Sequence, residues 1–202
     1  EEGDIHQLTA DSLPSNFKPV GSAYENVDNP RRLFAKKHVH AFNYGEGAWT
    51  FARRARIGKG EAEAIRNGYL DMFPGIKGRQ MRIQRELGKS RTIKTLMGRK
   101  RTFFGLWGDA LFREAYAYNP QSTVADTLNL ALIKMKEKYP ETMVMLHNHD
   151  AFLTQCLIKD EEREIERIRE AFDIPIYVRG REFRIPVEIK VGRNWGKMEK
   201  VK

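Results

Sequence analysis

The chain has 202 residues, enough to bury a hydrophobic core as one domain or as two closely packed subdomains. Its 36 lysines and arginines exceed its 27 acidic residues, and the net charge of +9 favours an anionic partner. Aromatic residues interspersed among the cations favour nucleic acid over a membrane surface. No apolar run approaches the ~20 residues of a transmembrane helix, and a lone cysteine, Cys156, excludes an internal disulfide. The sequence therefore predicts a cytoplasmic protein without a membrane partner.

Residues 30–44 are predicted to form a helix, because Asn29 is a good N-cap, Pro30 suits the first helical position and Gly45 suits the end. Four side chains recur at intervals of four and so fall on one face of this helix: Arg32, Lys36, His40 and Tyr44. A guanidinium and an ammonium bind polyphosphate well, and an aromatic ring can stack on a base. The face therefore indicates a nucleotide-binding site. A basic helix face that is simply exposed to solvent would have the same composition, so that alternative stays open.

The rest of the chain alternates between helical and strand patterns. Apolar spacing and capping residues predict helices over 60–73, 75–89, 122–138 and 160–172, the last capped by Asp160. Strand patterns predict a hairpin over 92–104 around Met97-Gly98, a second hairpin of strands 142–146 and 151–158 with turn residues 147–150, and a last strand over 183–191. Because helices come first and strands later, this order predicts an α+β fold.

The helix at residues 30–44 resembles motif B of family A DNA polymerases, and reads R-x-x-x-K-x-x-x-H-x-x-x-Y-G in this chain. Four further segments resemble that family's other motifs in the right order: D-I-H-x-x-T-A at Asp4–Ala10, the R-x-x-x-x-x-x-x-Q-x-T-x-x-D segment at Arg113–Asp126, the H-D pair of motif C at His149-Asp150, and G-x-N-W at Gly192–Trp195. Each motif alone is weak, but together they extend over nearly all of residues 4–198.

The resemblance implies the right-hand architecture of a polymerase, with a helical fingers subdomain followed by part of an antiparallel-sheet palm. Residues 1–30 would lead from palm to fingers, 31–105 would form the fingers, and 106–202 would form the carboxy-terminal part of the palm. The segment Gln121-Ser122-Thr123-Val124 is similar to phage members of the family. A phage protein of this kind would act in the cytoplasm of the host cell.

The implied activity is template-directed DNA synthesis, in which a deoxynucleotide is transferred from a dNTP to the 3′-hydroxyl of a primer on primer-template DNA. The resemblance implies that five residues bind the nucleotide, with Lys36 also catalytic: His6, Arg32, Lys36, His40 and Tyr44. It implies that Asp150 is a catalytic ligand of a two-Mg²⁺ site, a role that suits a carboxylate because Mg²⁺ prefers oxygen. Contacts with the primer-template are implied for Arg113, Gln121 and His149.

Three positions depart from the family pattern. His40 stands where the family has Phe or Tyr against the nucleotide sugar, Ala117 replaces an Asn, and Ala151 replaces the acidic residue that follows Asp150. The family's second metal-binding aspartate lies in motif A, upstream of the D-I-H element, and nothing precedes Glu1. We therefore expect a split product or a fragment that needs a second polypeptide carrying the motif A aspartate and the thumb.

Two other functions fit parts of the sequence. A non-catalytic DNA-binding subunit that keeps the polymerase fold would explain Ala151 and the missing motif A aspartate. An HNH nuclease would explain the tripeptide His147-Asn148-His149, but that family's residues are spread over a ββα metal motif rather than consecutive. A neighbouring reading frame or a co-purifying chain with D-x-S-x-x-E would favour the polymerase over the subunit.

Overall fold

A computed structural model describes residues 4–201, which contain seven α-helices and eight short strands. The helices are α1 Ile5–Ser12, α2 Pro30–Asn43, α3 Ala48–Ala55, α4 Lys59–Met72, α5 Pro74–Ser90, α6 Asp109–Lys138 and α7 Glu161–Phe172. The strands form four two-stranded sheets, β1 Thr92–Lys94 with β2 Lys100–Thr102, β3 Met143–Asn148 with β4 Ala151–Gln155, β5 Ile176–Val178 with β6 Arg181–Phe183, and β7 Lys190–Asn194 with β8 Lys197–Lys200. The α+β prediction is confirmed. None of the helices within residues 4–201 is long and apolar enough to cross a membrane.

The described chain divides into two compact units. The first comprises the described residues through Ile93 together with Lys100–Tyr118. The second comprises Lys94–Arg99 together with the described residues from Asn119 onward. Helices α1–α5 belong to the first unit, α7 and strands β3–β8 belong to the second, and α6 has residues in both.

Four helices begin and end within one or two residues of their predicted positions. α2 starts at Pro30, and its N-cap Asn29 accepts a hydrogen bond from the Arg32 N–H at 2.9 Å through its side-chain oxygen. The helix ends before Gly45, whose φ of 81° lies in the region that favours glycine. α4, α5 and α7 cover the other predicted spans. The local sequence is therefore enough to place these four helices.

One face of α2 supplies much of the core of the first unit. Phe34, Val39 and Phe42 belong to a buried cluster that also contains Phe51 of α3 and Tyr69 of α4. The Phe42 ring centroid lies 4.7 Å from that of Phe51 and 5.5 Å from that of Tyr69. Burying a side chain of this size contributes roughly 1.5–3 kcal/mol. This packing fixes the rotation of α2 and leaves its basic face toward solvent.

The helix α6 is longer than predicted. The prediction covered residues 122–138, whereas the helix runs over Asp109–Lys138 with Pro120 in its interior. Proline lacks an N–H, so the carbonyl of Tyr116, four residues earlier, loses its helical donor. The Arg79 guanidinium of α5 donates a hydrogen bond to that carbonyl instead. A distant residue therefore compensates for the proline, which no local pattern could show.

The hairpin of β3 and β4 pairs antiparallel as predicted, but its turn is shorter. His147 and Asn148, which were predicted as turn residues, belong to β3 and pair with β4. The turn consists of His149 and Asp150 alone, and His149 has a φ of 54°. Two-residue hairpin turns commonly need this left-handed conformation. The short turn holds Asp150 at the tip of the hairpin.

One local prediction in the second unit is wrong. The strand predicted over 183–191 is absent, because β6 ends at Phe183 and β7 begins at Lys190. Pro186 lies between them and lacks the N–H that a sheet ladder requires. Asp160 is the N-cap residue of α7 as predicted, but its carboxylate makes no capping hydrogen bond and instead accepts one from Arg163 at 2.9 Å.

The strand β3 is exposed on both faces. Four consecutive apolar side chains in it are 39–56% exposed: Met143, Val144, Met145 and Leu146. A strand with apolar residues on both faces is typical of a sheet that is covered on both sides. An apolar strand left uncovered is a surface for another polypeptide.

Candidate nucleotide-binding and catalytic residues

Arg31 holds α1 against α2. Its guanidinium donates hydrogen bonds of 2.8–3.0 Å to four carbonyls at the end of α1 and in the following loop, those of Ala10, Leu13, Pro14 and Phe17. A guanidinium carries five N–H donors in one plane, so a single side chain can bind several carbonyls. This docking brings Asp4 and His6 to the basic face of α2. Sequence reasoning missed Arg31, because a single sequence does not show which carbonyls a cation will meet.

Asp4 couples the start of α1 to the first cation of the α2 face. Its Oδ1 accepts a hydrogen bond from the His6 N–H at 2.9 Å, and its Oδ2 lies 2.7 Å from both Nε and Nη2 of Arg32. The hydrogen bond from Arg32 holds the pKa of the Asp4 carboxyl below its usual value. Because both side chains are about 40% exposed, the pair adds little stability. Its effect is to fix the direction of the Arg32 guanidinium.

His6 and His40 lie beside each other, with ring centroids 6.1 Å apart and ring planes inclined by 59°. Burial lowers the pKa of His6, and the nearby positive groups of α2 lower it further, while Asp4 opposes them. The imidazole is therefore neutral at pH 7. Its buried Nδ1 has no hydrogen-bond partner among residues 4–201. His6 thus supplies a neutral ring with an unpaired nitrogen rather than a fixed charge.

The two neighbouring lysines of α2 have different surroundings. Lys36 is exposed on the face that Arg32 and His40 share, and it forms no ion pair with a carboxylate in residues 4–201. Lys37 lies about 100° further round the helix. Its Nζ is 4.8 Å from the centroid of the Tyr24 ring. Lys36 is therefore available to an anion, whereas Lys37 is held over an aromatic ring.

The end of α2 packs closely against α6. A Cβ at Gly45 would lie 2.7 Å from a ring carbon of Tyr116, so only glycine fits after the C-cap residue Tyr44. Arg113 lies beside the same point, with its Cγ 3.8 Å from that Cβ position. Gln80 of α5 donates to the last two carbonyls of α2 at 3.1 and 3.3 Å. The structure therefore places Gly45, the residue after Tyr44, beside Arg113, and Gln80 supports the end of α2.

A buried polar group lies behind the basic face. Arg54 Nη2 lies 2.7 Å from Glu46 Oε2 and 2.9 Å from His38 Nδ1, and His38 and Glu46 are 5% and 7% exposed. Because a guanidinium only donates, Nδ1 accepts, and the neutral imidazole carries its proton on Nε2. Burial raises the pKa of Glu46 despite the Arg54 charge. Burial, with the charges of Arg54 and Lys37, lowers the pKa of His38 to about 4.

We expect the protein to lose stability as the pH falls from 6.5 toward 4. The pKa of His38 is about 4 in the folded state and 6.5 in the absence of its surroundings, so the unfolded state binds the additional proton in this interval. The free energy of unfolding should fall by roughly 3 kcal/mol from this residue alone. Urea unfolding at a series of pH values measures it. The glutamine of His38→Gln does not titrate, so the free energy of unfolding of this variant should depend less on pH. The same pH dependence in the variant and the wild type would contradict the assignment to His38.

In the second unit, His149 and Asp150 are both exposed at the tip of the β3–β4 hairpin. Within residues 4–201, no group of three or more His, Cys, Asp and Glu side chains is arranged to hold a metal ion. The exposed carboxylate of Asp150 fits one oxygen-ligand position of Mg²⁺. The described residues therefore offer one ligand for such a site, the Asp150 carboxylate. The remaining coordination positions of the metal need other groups.

The other predicted residues of the second unit lie on separate elements. Gln121 is an exposed residue of α6, directly after Pro120. Gly192 lies in β7, where a Cβ would collide with the carbonyl of Lys197 on β8. Trp195, in the turn after β7, is 59% exposed. The glycine of the G-x-N-W sequence is therefore required by the backbone of this hairpin.

Comparison with known proteins identifies the same family that the sequence motifs resemble. The sequence profile of DNA polymerase family A matches residues 1–197. DNA polymerase I of Borreliella burgdorferi is 29% identical over 205 residues, which cover 96% of this chain and 22% of that protein. DNA polymerase I of Helicobacter pylori is 25% identical over 209 residues, covering 97% and 22%. The thermostable DNA polymerase I of Thermus aquaticus is 26% identical over 201 residues, covering 95% and 23%.

A solved structure shares the fold. It is the POL domain of Pol1 from M. smegmatis in complex with DNA primer-template and dNTP, with a TM-score of 0.70 and 22% identity. The similarity covers 83% of this chain and 30% of that one. The polymerase-domain fold expected from the sequence is therefore confirmed. The chain spans about a fifth of the length of the curated relatives described above.

Proposed function

Because this chain belongs to DNA polymerase family A, we propose that it carries out part of template-directed DNA synthesis. The reaction transfers a deoxynucleotide from a dNTP to the 3′-hydroxyl of a primer. The observation that carries the proposal is the exposed face of α2, where Arg32 and Lys36 precede His40 and the C-cap residue Tyr44. The docking of α1 adds His6 to that face.

We assign the residues of this face to successive parts of the nucleotide. Arg32, aimed by Asp4, and the exposed Lys36 bind the triphosphate, since a guanidinium and an ammonium complement its charge. His6 supports the phosphates as a neutral ring. His40 lies against the sugar. Tyr44, held at the end of α2, lies near the templating base.

We assign Asp150 to the metal site and three further residues to the primer-template. Asp150 would hold Mg²⁺ through its exposed carboxylate at the hairpin tip. When bound, two Mg²⁺ ions would neutralise the charge of the reacting phosphate. His149, next to it, and Gln121 of α6 would contact DNA together with Arg113. The position of Asp150 in a two-residue turn supports this assignment, because a short turn fixes where the carboxylate lies.

We propose that a further polypeptide segment, on this chain or on a second one, completes the catalytic site. Two metal ions would need more than one carboxylate to hold them, and Asp150 would supply one. The exposed apolar faces of β3 support the same conclusion, because they are suited to cover by neighbouring polypeptide. The segment would carry the motif A aspartate and the thumb.

Within this proposal, residues 31–105 serve as the fingers and 106–202 as the carboxy-terminal part of the palm, while residues 1–30 lead into the fingers. The similarity of residues 121–124 to phage members and a cytoplasmic location stay predictions. The alternative function is a DNA-binding subunit without catalysis, which Ala151 and the single carboxylate favour. Such a subunit would bind DNA without Mg²⁺-dependent turnover, so a primer-extension assay separates the two.

Binding of primer-template DNA should depend strongly on salt. Cations that neutralise phosphates release counterions, so the logarithm of the association constant should fall with the logarithm of salt concentration by roughly 0.9 per phosphate. Fluorescence anisotropy of a labelled primer-template measures this slope. Lys59→Ala should leave it unchanged, because the Lys59 ammonium already pairs with Glu63 at 3.6 Å. A slope near zero for the wild type would remove the DNA-binding proposal.

A further inference from the structure

The positive charge of the chain is concentrated in one segment. Residues 74–107 contain ten lysines and arginines and a single acidic residue, Glu86, so their net charge is +9. The net charge of the whole chain is also +9, which means that the rest of the sequence is balanced. Four exposed cations of this segment lie on α5: Lys77, Arg82, Arg85 and Lys89. The segment is therefore the strongest anion-attracting part of the sequence.

The 103–107 loop at the end of this segment is anchored at both sides. Phe103 is 2% exposed and packs edge-on against Tyr118, with ring centroids 5.8 Å apart. Trp107 packs edge-on against Phe112 at 5.1 Å. Arg91 donates to the carbonyl of Gly105 at 2.8 Å, and its guanidinium lies 5.3 Å from the Trp107 ring. These contacts define the path of the loop.

Two large apolar side chains project from this anchored loop into solvent. Phe104 is 91% exposed and Leu106 is 94% exposed. Side chains so exposed contribute almost nothing to the core, since burial is what stabilises apolar groups. An anchored loop that exposes an aromatic ring to solvent has the features of a surface on which nucleic-acid bases stack.

Cations lie next to the same loop. A Cβ at Gly88 of α5 would lie 3.8 Å from the ring of Trp107, so the last turns of α5 run beside the loop. Lys89 follows Gly88 directly, and Arg85 lies one turn earlier on the same side of the helix. Both are exposed. Stacking groups and phosphate-binding groups therefore occur side by side within the first unit.

We propose that the 103–107 loop and the end of α5 form a binding site for single-stranded nucleic acid. A base stacks on Phe104 with Leu106 at its edge, and the adjoining phosphates bind Arg85 and Lys89. The charge decides in favour of nucleic acid over a protein partner, because a segment of net charge +9 attracts a polyanion. Identifying that strand as the unpaired template rests on the proposed function, whereas binding itself does not depend on catalysis.

The test is titration of the 202-residue chain against a labelled oligothymidine of about 16 nucleotides, a length suited to sites of this kind, at several salt concentrations. Phe104→Ala should weaken binding by roughly tenfold at every salt concentration, because stacking releases no counterions. Lys89→Ala should instead reduce the salt slope by roughly 0.7. Phe104→Trp should retain the wild-type affinity. The control Tyr177→Ala removes a 60% exposed ring in the other unit and should have no effect.

Unchanged affinity in Phe104→Ala would overturn the proposal and leave the loop as a surface for protein. A loss that Phe104→Trp fails to restore would also overturn it, because stacking needs only an aromatic ring. Thermal unfolding checks that the variants remain folded, which we expect for a side chain exposed to 91%. Primer extension is a separate measurement, so this site and the proposed polymerase activity can fail independently.

Discussion

Replacing Asp150 by asparagine is expected to lower Mg²⁺-dependent primer extension by about 10³-fold in a complex that includes the motif A segment. The amide keeps the shape of the carboxylate but lacks the negative oxygen that Mg²⁺ prefers. Because Asp150 is exposed at the tip of a hairpin, the substitution should leave the fold intact. Single-turnover extension of a labelled primer measures the loss.

The matched control is Asp160→Asn, which removes another carboxylate of the second unit. Asp160 accepts a hydrogen bond from Arg163 and lies outside the hairpin, so extension should stay near the wild-type rate. Equal thermal stability of the two variants would exclude unfolding as the cause of a loss. Undiminished extension by the Asp150→Asn complex would remove this residue from catalysis.

Lys36→Ala is expected to reduce turnover by about 10²-fold, equivalent to about 3 kcal/mol of transition-state stabilisation. The Lys36 ammonium is exposed on the α2 face and has no carboxylate partner in the described part of the chain. It can therefore bind the triphosphate, whose charge shifts in the transition state. The effect should appear mainly in kcat. Losing a contact that strengthens in the transition state lowers turnover rather than substrate binding alone.

Lys37→Ala provides the control for charge. It removes the same charge one residue further along α2, but the Lys37 ammonium lies over the Tyr24 ring rather than on the nucleotide face. We expect turnover within a few-fold of the wild type, as is usual for a surface substitution. Equal losses for the two lysine variants would indicate a diffuse basic surface in place of a nucleotide site.

The parts of the fold that depend on local signals were predictable. α2 is the clearest case, because Asn29, Pro30 and Gly45 mark its ends and the spacing of its cations places them on one face. That spacing was enough to predict the arrangement of Arg32, Lys36 and His40 without knowledge of the tertiary structure. α4, α5 and α7 are also defined by their own residues.

The parts that depend on long-range contacts were not predictable. The first half of α6 was missed because Pro120 reads as a helix boundary, while Arg79 supplies the missing donor from another helix. The docking of α1 depends on Arg31 and four backbone carbonyls, and only the folded chain shows that they meet. The buried group of His38, Glu46 and Arg54 escaped the sequence analysis for the same reason.

In the function proposed above, this chain supplies the nucleotide-binding face and one catalytic carboxylate of a DNA polymerase. The most direct measurement is primer extension by the purified 202-residue chain, with and without a polypeptide that carries the motif A aspartate and the thumb. We predict that the chain alone binds primer-template and incorporates no nucleotide, and that the added polypeptide produces Mg²⁺-dependent extension. Extension by the chain alone, or none with the added polypeptide although both bind DNA, would contradict this account.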